Sequence, residues 1–277
     1  MSSYEDYARA SAHYDLTRVP VGLEIILGCL AHHPAPLAER VLVDAGCGTG
    51  SYARALVDRM RRIEAVDLNA GMLAVARAKL ADAEAAGRIA FHRASVDELP
   101  LPHDSVDAVM INQVLHHLPD DPSGGWPRVR GVLEGFARVL RPGGTLVVNI
   151  SSHEQLRRGA WYAALIPEAI DRMAARHVPL DVLEEMLARA GFATHGRFVP
   201  VDAVVQGEHY FDPRGPFDAR WRDGDSVWST VAGDELEHVL ARLRELDARG
   251  GLDVFFAEHD AARPHVGQIT FIHATRL

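Results

Sequence analysis

The sequence predicts a doubly wound α/β fold, in which helices cover both faces of a mostly parallel sheet. Strand-like and helix-like segments alternate through the first 150 residues, and this alternation is typical of such folds. A glycine-rich loop directly follows the first predicted strand, at the sheet edge where these folds bind ligands. With 277 residues, 48% of them hydrophobic, the chain can form one large domain with additional covering segments.

Each predicted element has a local signal in the sequence. Apolar runs predict seven strands, near residues 40–44, 62–67, 88–92, 106–111, 145–150, 197–205 and 268–273. Apolar residues at helical spacing predict helices that include residues 72–80, 129–139, 182–190 and 236–246. A further helix begins near Ser51. Residues 141–144, Arg-Pro-Gly-Gly, end one helix before the fifth strand, and Gly191 caps the next.

Two regions depart from this alternation and are predicted to be covers. Residues 1–36 form a predicted helical N-terminal lid, which leaves residues 37–277 as the main domain. Residues 206–230, an insertion before the last strand, are rich in aromatic residues, glycine, proline and aspartate. Because ligands bind at the carboxyl ends of the strands, we expect this insertion and residues 151–178 to close over that edge.

Composition excludes several classes of function. The net charge is −9 and arginines are scattered, so no nucleic-acid partner is expected. Apolar stretches are too short to span a bilayer and the N-terminus lacks a signal pattern, which predicts a cytoplasmic protein with no membrane partner. Cys29 and Cys47 are the only cysteines, so we expect no disulfide framework. No metal site is expected either, because no H-E-x-x-H motif occurs.

The loop after the first strand predicts a cofactor site. Gly46, Gly48 and Gly50 allow the backbone to turn sharply and lie against a ligand. Ser51 stands where a dinucleotide-binding loop needs its third glycine, which argues against NAD and an oxidoreductase. Asp44 would repel a pyrophosphate but attract an ammonium group. The pattern therefore favours a cationic cofactor.

Asp67 ends the second predicted strand, 21 residues after Gly46. This is close to the spacing at which a carboxylate reaches ribose hydroxyls. The alternative is that Asp67 or Asn69 caps the helix that contains Met72. Cys47, between two glycines of the loop, is interpreted as a small residue in a tight turn rather than a nucleophile.

Taken together, the motifs resemble those of class I S-adenosylmethionine-dependent methyltransferases, in particular the branch of ubiquinone/menaquinone-type and small-molecule enzymes. The similarity covers roughly residues 38–150. The motifs that carry it are Val-Leu-Val-Asp-Ala-Gly-Cys-Gly-Thr-Gly (41–50), Ala-Val-Asp-Leu-Asn (65–69), Leu-Pro-Leu-Pro-His-Asp-Ser-Val-Asp (99–107), Asn-Gln-Val-Leu-His-His-Leu (112–118) and Leu-Arg-Pro-Gly-Gly (140–144). The resemblance implies a Rossmann-like sheet of order 3-2-1-4-5-7-6 with the last strand antiparallel.

S-adenosylmethionine is the implied cofactor, and S-adenosylhomocysteine the implied product. In this interpretation Asp44 and the loop hold the methionine part, Asp67 holds the ribose, and Leu68 and Met72 flank the adenine. The expected cofactor-binding residues are Arg18, Asp44, Gly46, Cys47, Gly48, Gly50, Asp67, Leu68, Met72, Ser95, Val96, Asn112 and Gln113.

Two of these residues carry specific expectations. Arg18 could pair with the cofactor carboxylate, because guanidinium suits that geometry. Ser95 stands where relatives commonly carry an acid that accepts from the adenine amino group, and a neutral contact is weaker than a charge-assisted one. Asp97, two residues on, is the alternative acceptor.

The implied reaction is methyl transfer to an O, N or S atom of a small organic molecule, for example in secondary metabolism. The alternative is a non-catalytic S-adenosylmethionine-binding sensor or partner subunit, because no obvious catalytic base stands out. Candidate catalytic residues are His153, His117 and Tyr14, since histidine is the usual base near neutral pH. Candidate acceptor contacts are His116, Trp161, Tyr162, His209 and Tyr210, and packing of a cover is the alternative for the aromatic ones.

Overall fold

A seven-stranded mixed sheet forms the centre of the protein in a computed structural model that describes residues 18–277. The strands are β1 (Val41–Ala45), β2 (Arg62–Asp67), β3 (Ile89–Arg93), β4 (Val106–Asn112), β5 (Leu140–Ile150), β6 (Phe192–Phe198) and β7 (Thr270–Arg276). Their order is β3-β2-β1-β4-β5-β7-β6, and β7 runs antiparallel to both of its neighbours. The predicted fold class and strand order are therefore confirmed.

Helices cover both faces of the sheet. They are α1 (Leu23–Ala31), α2 (Ser51–Leu56), α3 (Ala70–Lys79), α4 (Ala81–Ala85), α5 (Pro127–Val139), α6 (His153–Arg158), α7 (Pro167–Ala174), α8 (Leu180–Arg189), α9 (Ala219–Asp223), α10 (Gly233–Ala248), α11 (Leu252–Asp260) and α12 (Arg263–Val266). Short 3₁₀ turns connect several of them.

The predicted position of the sixth strand, 197–205, is wrong. Gly191 has a φ of +88° and ends α8, and β6 begins directly after it at Phe192. The fifth strand also starts earlier than predicted, at Leu140, because residues 141–144 continue the strand as an irregular segment. This irregularity lies opposite a register shift in β4 between Val106 and Ala108.

Alternating side chains of the central strands supply two apolar cores. In β4, Val109 and Ile111 face the layer that contains α5 and α8, whereas Ala108 and Met110 face the layer that contains α1, α2 and α3. All four side chains are fully buried, as expected for a central strand covered on both faces. The sheet is therefore a rigid support for the loops at its carboxyl edge.

A third apolar cluster lies beyond the sheet and joins the two predicted covers. It packs the 3₁₀ turn Trp161–Leu165 and α7 against residues 204–256. Trp161 is fully buried at its centre. The covers thus form a folded layer with a core of their own.

The N-terminal part of the described chain divides into two portions. Helix α1 packs on β5 and β7, and its Ile26 and Leu30 side chains are fully buried. Residues 18–20 precede α1 and lie against the covering segment, where Val19 N donates to Val205 O at 3.2 Å. In the described part of the predicted N-terminal lid, these residues therefore contact the cover, whereas α1 packs on the sheet.

Candidate active site

A cavity of about 220 Å³ opens where β1, β2 and β4 end. Twelve of the thirteen predicted cofactor residues line it: Arg18, Asp44, Gly46, Cys47, Gly48, Asp67, Leu68, Met72, Ser95, Val96, Asn112 and Gln113. The segments that carry these residues are far apart in the sequence but meet because parallel strands bring their carboxyl ends to one edge. The thirteenth, Gly50, lies outside the lining.

The loop glycines have different physical roles. Gly46 has a φ of +74°, and a Cβ there would lie 2.4 Å from the Val114 side chain. Gly48 has a φ of +53°, and a Cβ there would meet no atom within 4 Å, so it would occupy open cavity space. Gly50 has a φ of +78° and packs against Ala76 and Leu80. The prediction that Gly50 contacts cofactor is therefore not supported, because its position serves the packing of α2 on α3.

Asp44 is a buried acid at the base of the cavity. Its side chain is 2% exposed, and Oδ2 has no hydrogen-bond partner in the described part of the chain. Burial, reinforced by the nearby Asp67 carboxylate, raises the pKa of Asp44 to about 7. A cationic group in the cavity would offset the cost of this buried charge, which fits the ammonium of an amino-acid tail.

Asp67 is the second acid on the cavity wall. Its Oδ2 accepts from Gly48 N at 2.8 Å and its Oδ1 accepts from Asn69 N at 2.8 Å. Asn69 is the cap of α3, because its side chain accepts from the backbone N–H groups of Gly71 and Met72. Asp67 therefore fixes the glycine loop while its carboxylate remains on the cavity wall. Burial raises its pKa.

Ser95 rather than Asp97 lies on the cavity wall. Asp97 forms an ion pair with Arg128 instead. Cys47 is also in the lining, but burial raises the pKa of its thiol well above the usual value, with Asp44 and Asp67 adding to the effect. This agrees with its interpretation as a small turn residue, because nucleophilic cysteines need a lowered pKa.

A smaller cavity of about 60 Å³ adjoins the first. Arg18, Gln113, His116 and Ile269 are among the residues that line both. The remaining wall of the smaller cavity comes mainly from the covering layer, with Gln268 from the segment before β7. From the covers it includes Ser151, Gln155, Leu156, Tyr162, Ile170, Met173, His177, Asp225 and Val227. The larger cavity thus shares part of its wall with a second space, which the covers line.

The predicted acceptor residues divide into two groups. His116 lines both cavities, His117 lines the larger and Tyr162 the smaller. Burial lowers the pKa of His117 to about 3, with His177 and Arg18 contributing, so its imidazole is neutral near pH 7.

Trp161, His209 and Tyr210 do not line either cavity. Trp161 Nε1 donates to Tyr210 O at 3.0 Å, and the Tyr210 hydroxyl donates to Asp260. His209 contributes its carbonyl to the cover, where it accepts from the Trp221 indole. These residues stabilise the covering layer, so the expectation that they contact the acceptor is not supported.

His153 and Arg18 are also placed differently from the expectation. His153 Nε2 donates to His177 O at 2.8 Å, and the residue lies outside both cavity linings, so it is not positioned as a base. Arg18 Nε donates to Gly224 O at 2.7 Å, and its guanidinium lies 3.4 Å from Asp225. Arg18 therefore connects to the cover in this structure. Tyr14 lies outside the described residues.

Sequence reasoning missed His177 and Asp225. His177 lies in the Arg-His-Val-Pro segment after α7, which carries no recognisable motif. Asp225 lies in the predicted cover, but nothing local separates it from the neighbouring acids. Within residues 18–277, no three metal-ligating side chains are grouped so that they could hold an ion. No helix in the same range is both long and apolar enough to cross a bilayer.

Comparisons with known proteins agree with this geometry. The methyltransferase domain family matches residues 43–148. An uncharacterized methyltransferase of Mycobacterium tuberculosis is 33% identical over 127 residues, which are 46% of this chain and 58% of that protein. A protein of Mycolicibacterium smegmatis named as a probable S-adenosylmethionine-dependent methyltransferase is 31% identical over 169 residues, 61% of this chain and 57% of that protein. The chain thus spans little more than half the length of these curated relatives.

One solved structure shows the fold over nearly the whole chain. A protein of Anabaena variabilis, described as a methyltransferase from an antibiotic biosynthesis pathway, superposes with a TM-score of 0.75 at 22% identity. The match covers 95% of this chain and 100% of that chain. The family match and the curated relatives identify residues 43–148 as a class I S-adenosylmethionine-dependent methyltransferase domain, with S-adenosylmethionine as its cofactor. The quinone-type branch stays a prediction.

Proposed function

We propose that the protein transfers the methyl group of S-adenosylmethionine to an O, N or S atom of a small organic molecule. The observation that carries this proposal is that the cavity bearing Asp44 and Asp67 lies beside the smaller cavity under the cover and shares lining residues with it. A donor site alone would suffice for a binding protein, whereas transfer also requires an enclosed space for an acceptor beside it. The antibiotic-pathway relative supports a small-molecule acceptor.

Each part of the site has a simple task in such a reaction. Bound S-adenosylmethionine supplies a methyl group that its sulfonium already activates. Asp44 attracts the ammonium of the amino-acid tail, Asp67 presents its carboxylate to the ribose, and Gly48 leaves room for close approach of the backbone. The covering layer excludes water, which favours transfer to the acceptor over hydrolysis. Orientation and exclusion of water can supply most of the rate enhancement in this reaction.

The direct test is turnover with a methyl-labelled donor. Purified protein is incubated with labelled S-adenosylmethionine and a panel of small hydroxyl, amine and thiol compounds. Release of S-adenosylhomocysteine together with a labelled product supports the proposal. Tight donor binding without turnover on any compound would favour the non-catalytic alternative.

Asp67→Ala provides the matched variant for this test. The substitution removes charge-assisted hydrogen bonds and should weaken binding of S-adenosylhomocysteine by roughly 1–3 kcal/mol. Calorimetry measures this change. Unchanged affinity would remove Asp67 from the cofactor site, while a parallel loss of turnover and affinity would confirm its role.

A further inference from the structure

His177 is held in one tautomer on the wall of the smaller cavity. It follows α7 and is 2% exposed. Its Nδ1 lies 2.9 Å from Met173 O, and a carbonyl can only accept, so Nδ1 carries the hydrogen. Nε2 is then the nitrogen with the free lone pair. Within residues 18–277, the side chain of His177 forms its hydrogen bond through Nδ1 to Met173 O, so Nε2 is available as an acceptor at the cavity.

Packing fixes the orientation of the same ring. His177 stacks on His116 with ring centroids 4.5 Å apart and an angle of 12° between the planes. Its backbone carbonyl accepts from His153 Nε2 at 2.8 Å. The orientation of the imidazole is therefore fixed by the hydrogen bond at Nδ1, by stacking on His116 and by the main-chain hydrogen bond to His153. A ligand would meet a preformed acceptor, which reduces the entropy cost of recognition.

The charges around this cavity compensate one another. Asp225 accepts from the Tyr162 hydroxyl at 2.5 Å and from Val227 N at 3.0 Å, and Arg18 lies 3.4 Å away. Burial lowers the pKa of His177 to about 4, so this ring adds no charge near pH 7. A charged ligand would lose hydration here without gaining an unpaired opposite charge.

Part of the wall is apolar, where Leu156, Ile170, Met173 and Val227 line it. Uncharged polar residues also line the cavity: Gln113, His116, Ser151, Gln155, Ser226 and Gln268. The apolar part of the wall favours a hydrophobic portion of the ligand, while the polar part, with the fixed acceptor nitrogen of His177, favours a polar group on it. A site built to pair with a donor rejects an analogue that lacks it, because the buried acceptor is then left without a partner.

We infer that the smaller cavity binds the acceptor molecule and that His177 Nε2 selects an uncharged hydroxyl group on an acceptor that also has an apolar portion. This inference rests on the proposed function and specifies the acceptor class for the same site. His177 is accordingly a specificity-determining residue.

Calorimetry on protein saturated with S-adenosylhomocysteine tests this selection, with phenol, anisole and benzoate as probes. Phenol can donate a hydrogen bond, anisole has a similar shape without the donor, and benzoate is charged. The wild type should bind phenol at least about tenfold more tightly than either of the others, which corresponds to roughly 1.4 kcal/mol. His177→Phe should abolish this preference and leave S-adenosylhomocysteine affinity within about twofold.

Two further variants separate recognition from structure. His177→Gln keeps an acceptor oxygen and should retain part of the preference for phenol over anisole. This variant keeps the inference testable if His177→Phe fails to fold. His209→Phe changes an exposed histidine of the cover outside both cavities and should retain all of it.

Three results would overturn the inference while the proposed function stands. They are equal or absent binding of phenol and anisole by the wild type, tighter binding of benzoate, and a preference that survives in His177→Phe. Failure of the wild type to bind S-adenosylhomocysteine would instead overturn the proposed function, and the inference with it.

Discussion

The cofactor cavity and the smaller cavity beside it are built in opposite ways. The cofactor cavity uses strand ends and a glycine loop. Two acids line it, and Oδ2 of the buried Asp44 has no hydrogen-bond partner in the described chain. The smaller cavity is enclosed largely by the covering layer, and its acid, Asp225, is already paired with Arg18 and Tyr162. One space therefore has unmet charge and the other does not. We infer from this difference that the first cavity selects a cation and the second an uncharged molecule.

The largest expected effect concerns the rigidity of the cofactor cavity. Gly46→Ala should destabilise the protein by about 2–5 kcal/mol, because it combines a left-handed backbone with a 2.4 Å approach to Val114. Gly143→Ala is the control, since Gly143 has a φ of +78° and open surroundings and should cost about 1 kcal/mol. Urea denaturation measures both. Equal losses would show that the Val114 contact does not constrain the loop.

A second prediction tests the unmet charge at Asp44. Asp44→Asn should weaken binding of S-adenosylhomocysteine by roughly 2–3 kcal/mol, because a charge-assisted contact to the ammonium is lost. The same change should stabilise the ligand-free protein at pH 8, by on the order of 2–4 kcal/mol. Calorimetry and urea denaturation measure the two effects.

The sign of the stability effect follows from the raised pKa. The folded protein holds the Asp44 proton up to about pH 7, whereas the unfolded chain releases it near 3.8. The wild type therefore loses stability as the pH rises between these values, and the variant does not. The higher stability of Asp44→Asn relative to the wild type should therefore disappear near pH 4. If Asp44→Asn were less stable than the wild type at pH 8, the view that burial destabilises the Asp44 carboxylate would be wrong.

A third prediction concerns the neutral imidazole of the smaller cavity. The folded pKa of His177 is about 4, below its ordinary value of 6.5. Its contribution to stability is therefore present above about pH 6.5 and is lost as the pH falls towards 4, by roughly 1–3 kcal/mol. Wild type should lose stability more steeply than His177→Phe across this window in urea titrations. Parallel pH profiles would mean that His177 titrates normally.

The residues of the cofactor cavity could be predicted from the sequence, whereas those of the smaller cavity could not. Asp44, Gly46, Gly48 and Asp67 were predicted because each lies at a strand end, where a few adjacent residues define both conformation and position. His177 could not be predicted, since its role depends on Met173 O, on stacking with His116 and on a cover assembled from distant segments. Local sequence does not encode such long-range packing.

The aromatic cover and the strands show the same limit. The cluster around Trp161 was recognised, but whether each ring faces a ligand or the interior depends on tertiary packing. Strand order followed from the family resemblance and strand existence from apolar runs. The predicted position of β6 was wrong because residues 199–205, which follow the strand, look as strand-like in sequence as β6 itself. Much of β6 is exposed, so its apolar pattern is weak.

The smallest expected effect distinguishes two candidates on the adenine side of the cofactor cavity. Ser95→Ala should weaken S-adenosylhomocysteine binding by about 0.5–1.5 kcal/mol, the value of one neutral hydrogen bond. Asp97→Ala is the comparison variant and should cost less affinity, because Asp97 lies outside the cavity lining, although its ion-pair partner Arg128 is part of it. Calorimetry measures both variants. A larger loss for Asp97→Ala would reverse the assignment.

The central claim is that the cofactor cavity grips an amino-acid tail as well as a nucleoside. Its most direct test is calorimetry of the wild type with S-adenosylhomocysteine and with 5′-methylthioadenosine, which has the nucleoside but not the tail. We expect one-to-one binding of S-adenosylhomocysteine, at least about tenfold tighter than binding of 5′-methylthioadenosine. Equal affinity for the two compounds, or no binding of either, would contradict the claim.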